Sequence, residues 1–226
     1  GAVATPTTRV LRDLLPVGGS LLDVGAGTGR ASLPLAGDGH PVTAVEKNPG
    51  MAEALRVEAG AAGVAVRVVE GSWPEVAAEV GRHDIAVCAQ VVYDVADLAP
   101  FLRALYETAR VAVVLEAGER HPWANLIPYY RALHGLARPD GPTADLLTEV
   151  VAETLEVVPE CRHWIGAAGM LFADLQELVE FYRRRLLVPA ARSAELADRL
   201  APDVVEQDGW LSLGGGQGAV TLWWGV

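Results

Sequence analysis

Short apolar runs separated by stretches of helical periodicity constrain this chain more than any other feature. The runs lie at Leu21–Val24, Val42–Val45, Val66–Val69, Ile85–Ala89 and Val111–Leu115, each of strand length and rich in valine, leucine or isoleucine. The clearest helical pattern between them is Leu98, Phe101, Leu102, Leu105 and Ala109, with Asp97 placed as an N-cap. Strand and helix alternating at this spacing predict right-handed βαβ crossovers and a parallel sheet covered on both faces. The runs at 42–45 and 111–115 are continuous rather than alternating, as strands buried on both sides require.

After residue 116 the rhythm changes. A helical stripe at Trp123, Leu126, Ile127, Tyr130, Leu133 and Ala137 leads to the turn-rich Arg138-Pro139-Asp140-Gly141-Pro142 and a second helix over Asp145–Leu155. An extended piece follows at Val157–Ile165, then a helix with Leu175, Leu178, Val179, Tyr182 and Leu186 on one face, then one over Ser193–Leu200. Trp210–Leu213 and Ala219–Trp224, joined by the glycine-rich 214–218, read as a terminal hairpin. The length of 226 residues suits one domain, 1–226, with a helical insertion at 117–166 and the hairpin at 209–225.

Composition narrows the function classes. With 18 basic against 29 acidic residues the net charge is −11, so a nucleic-acid partner would meet the field of the whole molecule. No stretch approaches the roughly 18 apolar residues of a membrane span, and the expectation is a soluble cytoplasmic protein. Cys88 and Cys161 lack metal-ligand spacing, so neither a disulfide framework nor a metal site is expected, and both read as buried thiols.

The segment Leu21-Leu22-Asp23-Val24-Gly25-Ala26-Gly27-Thr28-Gly29-Arg30 runs from a strand into a glycine turn and then a helical pattern. Three glycines in five residues permit unusual dihedrals and let a ligand approach the backbone, and amides at the following helix N-terminus would favour a carboxylate or phosphate. A dinucleotide fingerprint needs its third glycine at position 30, which is Arg30, so the nicotinamide reading loses ground. Glu46 closes the second strand. An acidic residue at that carboxyl end can accept both hydroxyls of a ribose.

With LLDVGAGTGR, VTAVEKNPGMAEAL, VRVVEGSWPE and HDIAVCAQVVYDVADL in this order, the first 115 or so residues resemble the class I S-adenosylmethionine-dependent methyltransferases. The resemblance implies an α/β, Rossmann-like, mostly parallel seven-stranded sheet in the order 3-2-1-4-5-7-6, its seventh strand antiparallel, with helices on both faces and the insertion after strand 5. It implies S-adenosylmethionine as cofactor and S-adenosylhomocysteine as product. It puts Asp23, Gly25, Ala26, Gly27 and Gly29 around the methionine moiety, Glu46 on the ribose hydroxyls, Gly71, Ser72 and Trp73 beside the adenine, and Gln90 near the methionine end, with Lys47 among the cofactor contacts. Where family members often carry Asp for the adenine amino group, this chain has Gly71-Ser72-Trp73; a serine hydroxyl accepts that hydrogen bond more weakly, and Trp73 either stacks on the purine or packs in the fold.

A sulfonium methyl is already activated, so the protein need only align the reactants, exclude water and, for a hydroxyl or ammonium acceptor, remove a proton. Tyr93, His121 and His134 are the candidate catalytic residues; Tyr93, Trp123, Tyr129 and Tyr130 are the candidate acceptor contacts, with the insertion as a lid or pocket wall. Asp94 reads as a turn or cap residue. Arg183-Arg184-Arg185 in a last helical turn reads as solvated charge complementing the helix dipole. A small-molecule acceptor is the first reading. An RNA or protein methyltransferase, or a protein that binds the cofactor without turning it over, are the alternatives.

Overall fold

The computed structural model describes residues 4–226, and the side chains of Asp94, Ala167 and Ala168 lie outside the described set. In chain order the strands are β1 Leu21–Val24, β2 Val42–Glu46, β3 Val66–Glu70, β4 His83–Ala89, β5 Ala109–Gly118, β6 Glu160–Ala168, β7 Val204–Gln207, β8 Trp210–Leu213 and β9 Gly216–Gly225. The helices are α1 Pro6–Leu14, α2 Leu33–Gly37, α3 Pro49–Ala61, α4 Ala77–Val80, α5 Leu98–Thr108, α6 Ile127–His134, α7 Ala144–Leu155, α8 Leu175–Arg185 and α9 Ser193–Leu200.

Seven strands form one sheet in the order β3-β2-β1-β4-β5-β9-β6, with one strand antiparallel, which is the expected Rossmann-like order once the strands of the sheet are counted in sequence. The pairs β3-β2, β2-β1, β1-β4 and β4-β5 are parallel. Every residue of β1 and β2 is buried, so these strands show no alternation of buried and exposed faces, as strands covered on both sides require. α5 begins after Asp97, which holds the N-cap position without a side-chain capping bond.

The chain divides into two compact units. Unit 1 comprises residues 1–117, 144–164 and 220–226; unit 2 comprises 118–143 and 165–219. This departs from the single domain with an insertion at 117–166. Ala144, Leu147 and Val151 of α7 are buried in the same core as Phe101, Leu102 and Leu105 of α5, so the second half of the expected insertion belongs to unit 1. Unit 2 has its own core, built around Leu178, Leu186, Leu196 and Leu200 with Phe172 and Tyr182.

The terminal hairpin is also corrected. β8 pairs antiparallel with β7, not with β9, and β9 enters the large sheet. The turn between β7 and β8 is Asp208-Gly209, both with positive φ, 52° and 79°, and an Asp-Gly pair suits the primed turns that match the twist of a two-stranded ribbon. The glycine-rich 214–218 therefore joins two sheets instead of closing a hairpin.

Candidate functional site

The carboxyl ends of β1, β2 and β4 open onto a cavity of about 900 Å3 within unit 1, where ligands of open parallel sheets bind. Its floor is the glycine turn after β1. Gly25, Gly27 and Gly29 all have positive φ, 70°, 57° and 89°, but they serve different ends. A Cβ on Gly25 would lie 2.4 Å from Val91 Cγ2, and one on Gly29 would lie 2.4 Å from Leu55 Cδ1 and 2.7 Å from Leu33 Cγ, so both are forced by packing. At Gly27 a Cβ would meet only Met51 Cε, at 4.0 Å. Gly27 and Ala26 line the cavity, and Gly29 does not.

The helix expected directly after the turn starts later. Residues 27–32 continue as turns, and α2 is only five residues long, from Leu33. The ligand-facing backbone is that of the turn itself.

Glu46, 7% exposed at the end of β2, ties the site together. Its Oε2 accepts the Gly27 N–H at 2.9 Å and its Oε1 accepts the Asn48 N–H at 2.8 Å. Each carboxylate oxygen keeps a further lone pair, so Glu46 can accept two more donors while it holds the turn. Its carbonyl accepts the Gly71 N–H at 3.1 Å, which fixes the start of the loop after β3. Lys47, Ser72 and Trp73 line the same cavity. The Trp73 indole N–H donates to the Phe101 carbonyl at 3.2 Å, and its ring packs on the core, so one side chain both packs and forms wall.

Asp23 lies beneath this floor, 1% exposed and not on the cavity. Burial pushes its carboxyl up to about 6, opposed by the Ser32 hydroxyl and the Arg30 guanidinium.

A polar network at the ends of β4 and β5 has no contiguous motif in the sequence. Glu116, 2% exposed, accepts hydrogen bonds from the Arg30 guanidinium at 2.5 Å, the Gln90 side-chain amide at 3.3 Å and the Thr7 hydroxyl. Thr7 is in turn hydrogen-bonded to Thr221 of β9 at 2.8 Å. Gln90 has a positive φ of 63°, a conformation that costs a non-glycine residue about 1–3 kcal/mol and persists where surroundings over-determine it. Here its backbone N–H donates to the Glu116 carbonyl at 2.8 Å, and its side chain reaches the Glu116 carboxylate. Tyr93 donates from its hydroxyl to Gln90 Oε1 at 3.4 Å. The only sequence signal for Glu116 is an acidic residue in the continuous apolar strand Val113-Val114-Leu115-Glu116-Ala117.

The remaining candidates are in unit 2, apart from this cavity's lining. His134 Nε2 meets the Leu186 carbonyl at 2.7 Å, and its ring lies against Tyr130; the nitrogen facing that carbonyl carries its proton, so the ring pins α6. His121 Nδ1 accepts the Trp123 N–H at 3.1 Å. The Tyr129 hydroxyl donates to Asp203, and burial together with that carboxylate pushes the phenol up, so it stays protonated. Tyr130 and Trp123 pack against the core of unit 2.

Residues 21–112 match the family model described as a methyltransferase domain. Over 93 residues the chain is 38% identical to a ubiquinone biosynthesis O-methyltransferase of Azorhizobium caulinodans, an alignment covering 41% of this chain and 37% of that protein. Among solved structures, the fold resembles magnesium protoporphyrin IX methyltransferase from Synechocystis, with bound SAH, at a TM-score of 0.54 and 12% identity over 96% of this chain and 79% of that one. It also resembles precorrin 8w decarboxylase of Methanobacterium thermoautotrophicum, at 0.57 and 16% over 100% and 92%. At these identities the structural likeness establishes the fold alone, and one fold hosts many chemistries.

Proposed function

We propose that this chain binds S-adenosylmethionine through the methyltransferase domain and transfers its methyl group to a small-molecule acceptor. The observation that carries the reading is Glu46. A buried carboxylate, held by two backbone amides at the mouth of a 900 Å3 cavity, presents its spare lone pairs beside a glycine whose Cβ position is empty. That arrangement of acceptors fits a nucleoside, with the ribose hydroxyls donating to Glu46 and the ligand backbone over Gly27. The cofactor, when bound, supplies an activated sulfonium methyl.

In this reading Glu46, with Lys47 beside it, orients the ribose; Gly71, Ser72 and Trp73 face the adenine, with the Trp73 ring excluding water. Gly25, Ala26 and Gly27, which line the cavity, take the methionine end, while Asp23 and Gly29 act from below by shaping the turn. Gln90 is a positioning residue: Glu116 and Tyr93 hold its amide, so it can orient a polar atom without paying for its own reorganisation. Catalysis by alignment then suffices, and a proton on the acceptor leaves to water or to Tyr93. Free thiols at Cys88 and Cys161 suit a reducing compartment and support a cytoplasmic location.

The test is incubation of the purified chain with methyl-labelled S-adenosylmethionine and a panel of phenolic, carboxylic and amine acceptors, with RNA and protein extract as further arms. Label in an organic small-molecule fraction is the expected result. Label in RNA or protein would move the assignment to those classes, and tight binding without transfer to any arm would make the chain a non-catalytic binder.

A further inference from the structure

Unit 2 holds a second cavity, of about 460 Å3. Its walls combine apolar surface from Leu126, Ile127 and Leu187 with three guanidinium groups, Arg138, Arg184 and Arg185. Among the described residues, no Asp or Glu lines it. In a chain of net charge −11, a cavity lined by cations alone is a local reversal of the molecule's field.

The three arginines of 183–185 do not form one solvated cluster, contrary to the sequence reading. Arg183 makes two bonds to Glu180 and donates to the Val188 carbonyl, and Arg184 also pairs with Glu180, at 2.8 Å. Those charges are spent. Arg185 is different: its guanidinium carbon lies 3.8 Å from the centre of the Trp123 ring and 4.6 Å from that of Phe181. Arg138, from the loop after α6, sits the same way, 4.4 Å from the centre of the Tyr130 ring. The nearest acidic neighbour in sequence, Asp140, is engaged by Arg120 at 2.9 Å. Among the described residues, Arg138 and Arg185 carry no ion pair. A guanidinium held on an aromatic face keeps its N–H donors around its edge, in the fork geometry that matches carboxylate and phosphate. The ring contact fixes the side chain in advance, so less rotamer entropy is lost when an anion binds.

We propose that this cavity is a binding site for a small organic acid: an oxyanion held by Arg185 and Arg138, with an apolar body against Leu126, Ile127 and Leu187. The site uses residues of unit 2 alone and does not depend on methyl transfer.

The test is calorimetric titration of the full chain with benzoate and with phenyl phosphate, against benzamide as the uncharged counterpart of benzoate. At least one anion binds with one-to-one stoichiometry, and benzamide binds at least tenfold more weakly. The preference between the two anions tells a carboxylate ligand from a phosphate ligand. R185Q and R138Q each weaken the anion at least tenfold, while R199Q, whose arginine pairs with Glu195, leaves it unchanged. R138Q changes an exposed loop residue, so its loss of binding is read at an unaltered unfolding midpoint. Absence of binding by both anions, equal binding of benzamide, or unchanged affinity in both R185Q and R138Q would overturn the proposal.

Discussion

Glu46 and Asp23 are both buried carboxylates near one cavity, and their surroundings give them opposite tasks. Glu46 accepts two backbone amides and stays available to a ligand. Replacing it, Glu46→Gln, should weaken S-adenosylhomocysteine binding by roughly 1.5–3 kcal/mol, the worth of charge-assisted bonds at a desolvated site; calorimetry reads the change directly. Asp23 has a raised carboxyl, about 6 in the folded chain, against an ordinary value near 4 when unfolded. Between about pH 4 and 6 the native state therefore binds more protons than the unfolded state, and stability must fall as pH rises through that window and then level off. The size is on the order of 3 kcal/mol. In Asp23→Asn that slope should vanish, as urea unfolding at pH 4.5 and pH 7 would reveal; an unchanged slope would place the titrating group elsewhere. At this scale the sequence is informative where a residue acts through its own strand end, as Glu46 does. It is silent where partners come from distant elements, as Thr7, Glu116 and Thr221 do.

The glycine turn shows what an element adds to its residues. Spacing alone marks Gly25, Gly27 and Gly29 as one motif, but the structure separates backbone fit from ligand approach. Gly29→Ala drives a Cβ into Leu55 and Leu33 and should destabilise the fold by about 1–3 kcal/mol. Gly27→Ala has space around its Cβ and pays only for its positive φ, about 1 kcal/mol. Its larger effect should fall on cofactor affinity, which thermal unfolding with and without S-adenosylhomocysteine would separate from stability. The positions of β1, β2, β4 and β5 were legible because strands buried on both faces carry apolar stretches, and that of β3, mostly unburied, through its valines. β7 was not, because Val204-Val205-Glu206-Gln207 is short and mostly exposed, even though Asp208-Gly209 marks the turn that follows it. α1 carries a start signal in Thr5-Pro6: Thr5 caps the helix by accepting the Thr8 N–H at 3.2 Å, and Pro6 holds the first turn.

For the whole molecule, the division into two units is a property of packing that periodicity does not encode. α7 follows the insertion's first helix in sequence, but its apolar face is buried with α5, and residues 165–219 join 118–143 around a separate core. Leu196 is fully buried in that core, so Leu196→Ala should cost about 2–5 kcal/mol in unit 2. Every residue lining the larger cavity belongs to unit 1; S-adenosylhomocysteine affinity in Leu196→Ala should therefore stay within about twofold of the unaltered chain at temperatures below unfolding. The family resemblance of the first 115 or so residues suggests the proposed cofactor site, while the cavity of unit 2, formed by side chains from 121 to 187, has no contiguous motif to announce it. In the proposed function the turn at Gly25–Gly29 and Glu46 form a site for an adenosyl sulfonium and not for a dinucleotide. Calorimetric titration with S-adenosylhomocysteine and, separately, with NAD tests it most directly. One-to-one binding of the homocysteine compound, lost in Glu46→Gln, with no heat from NAD is the predicted result; saturable binding of NAD alone would contradict it.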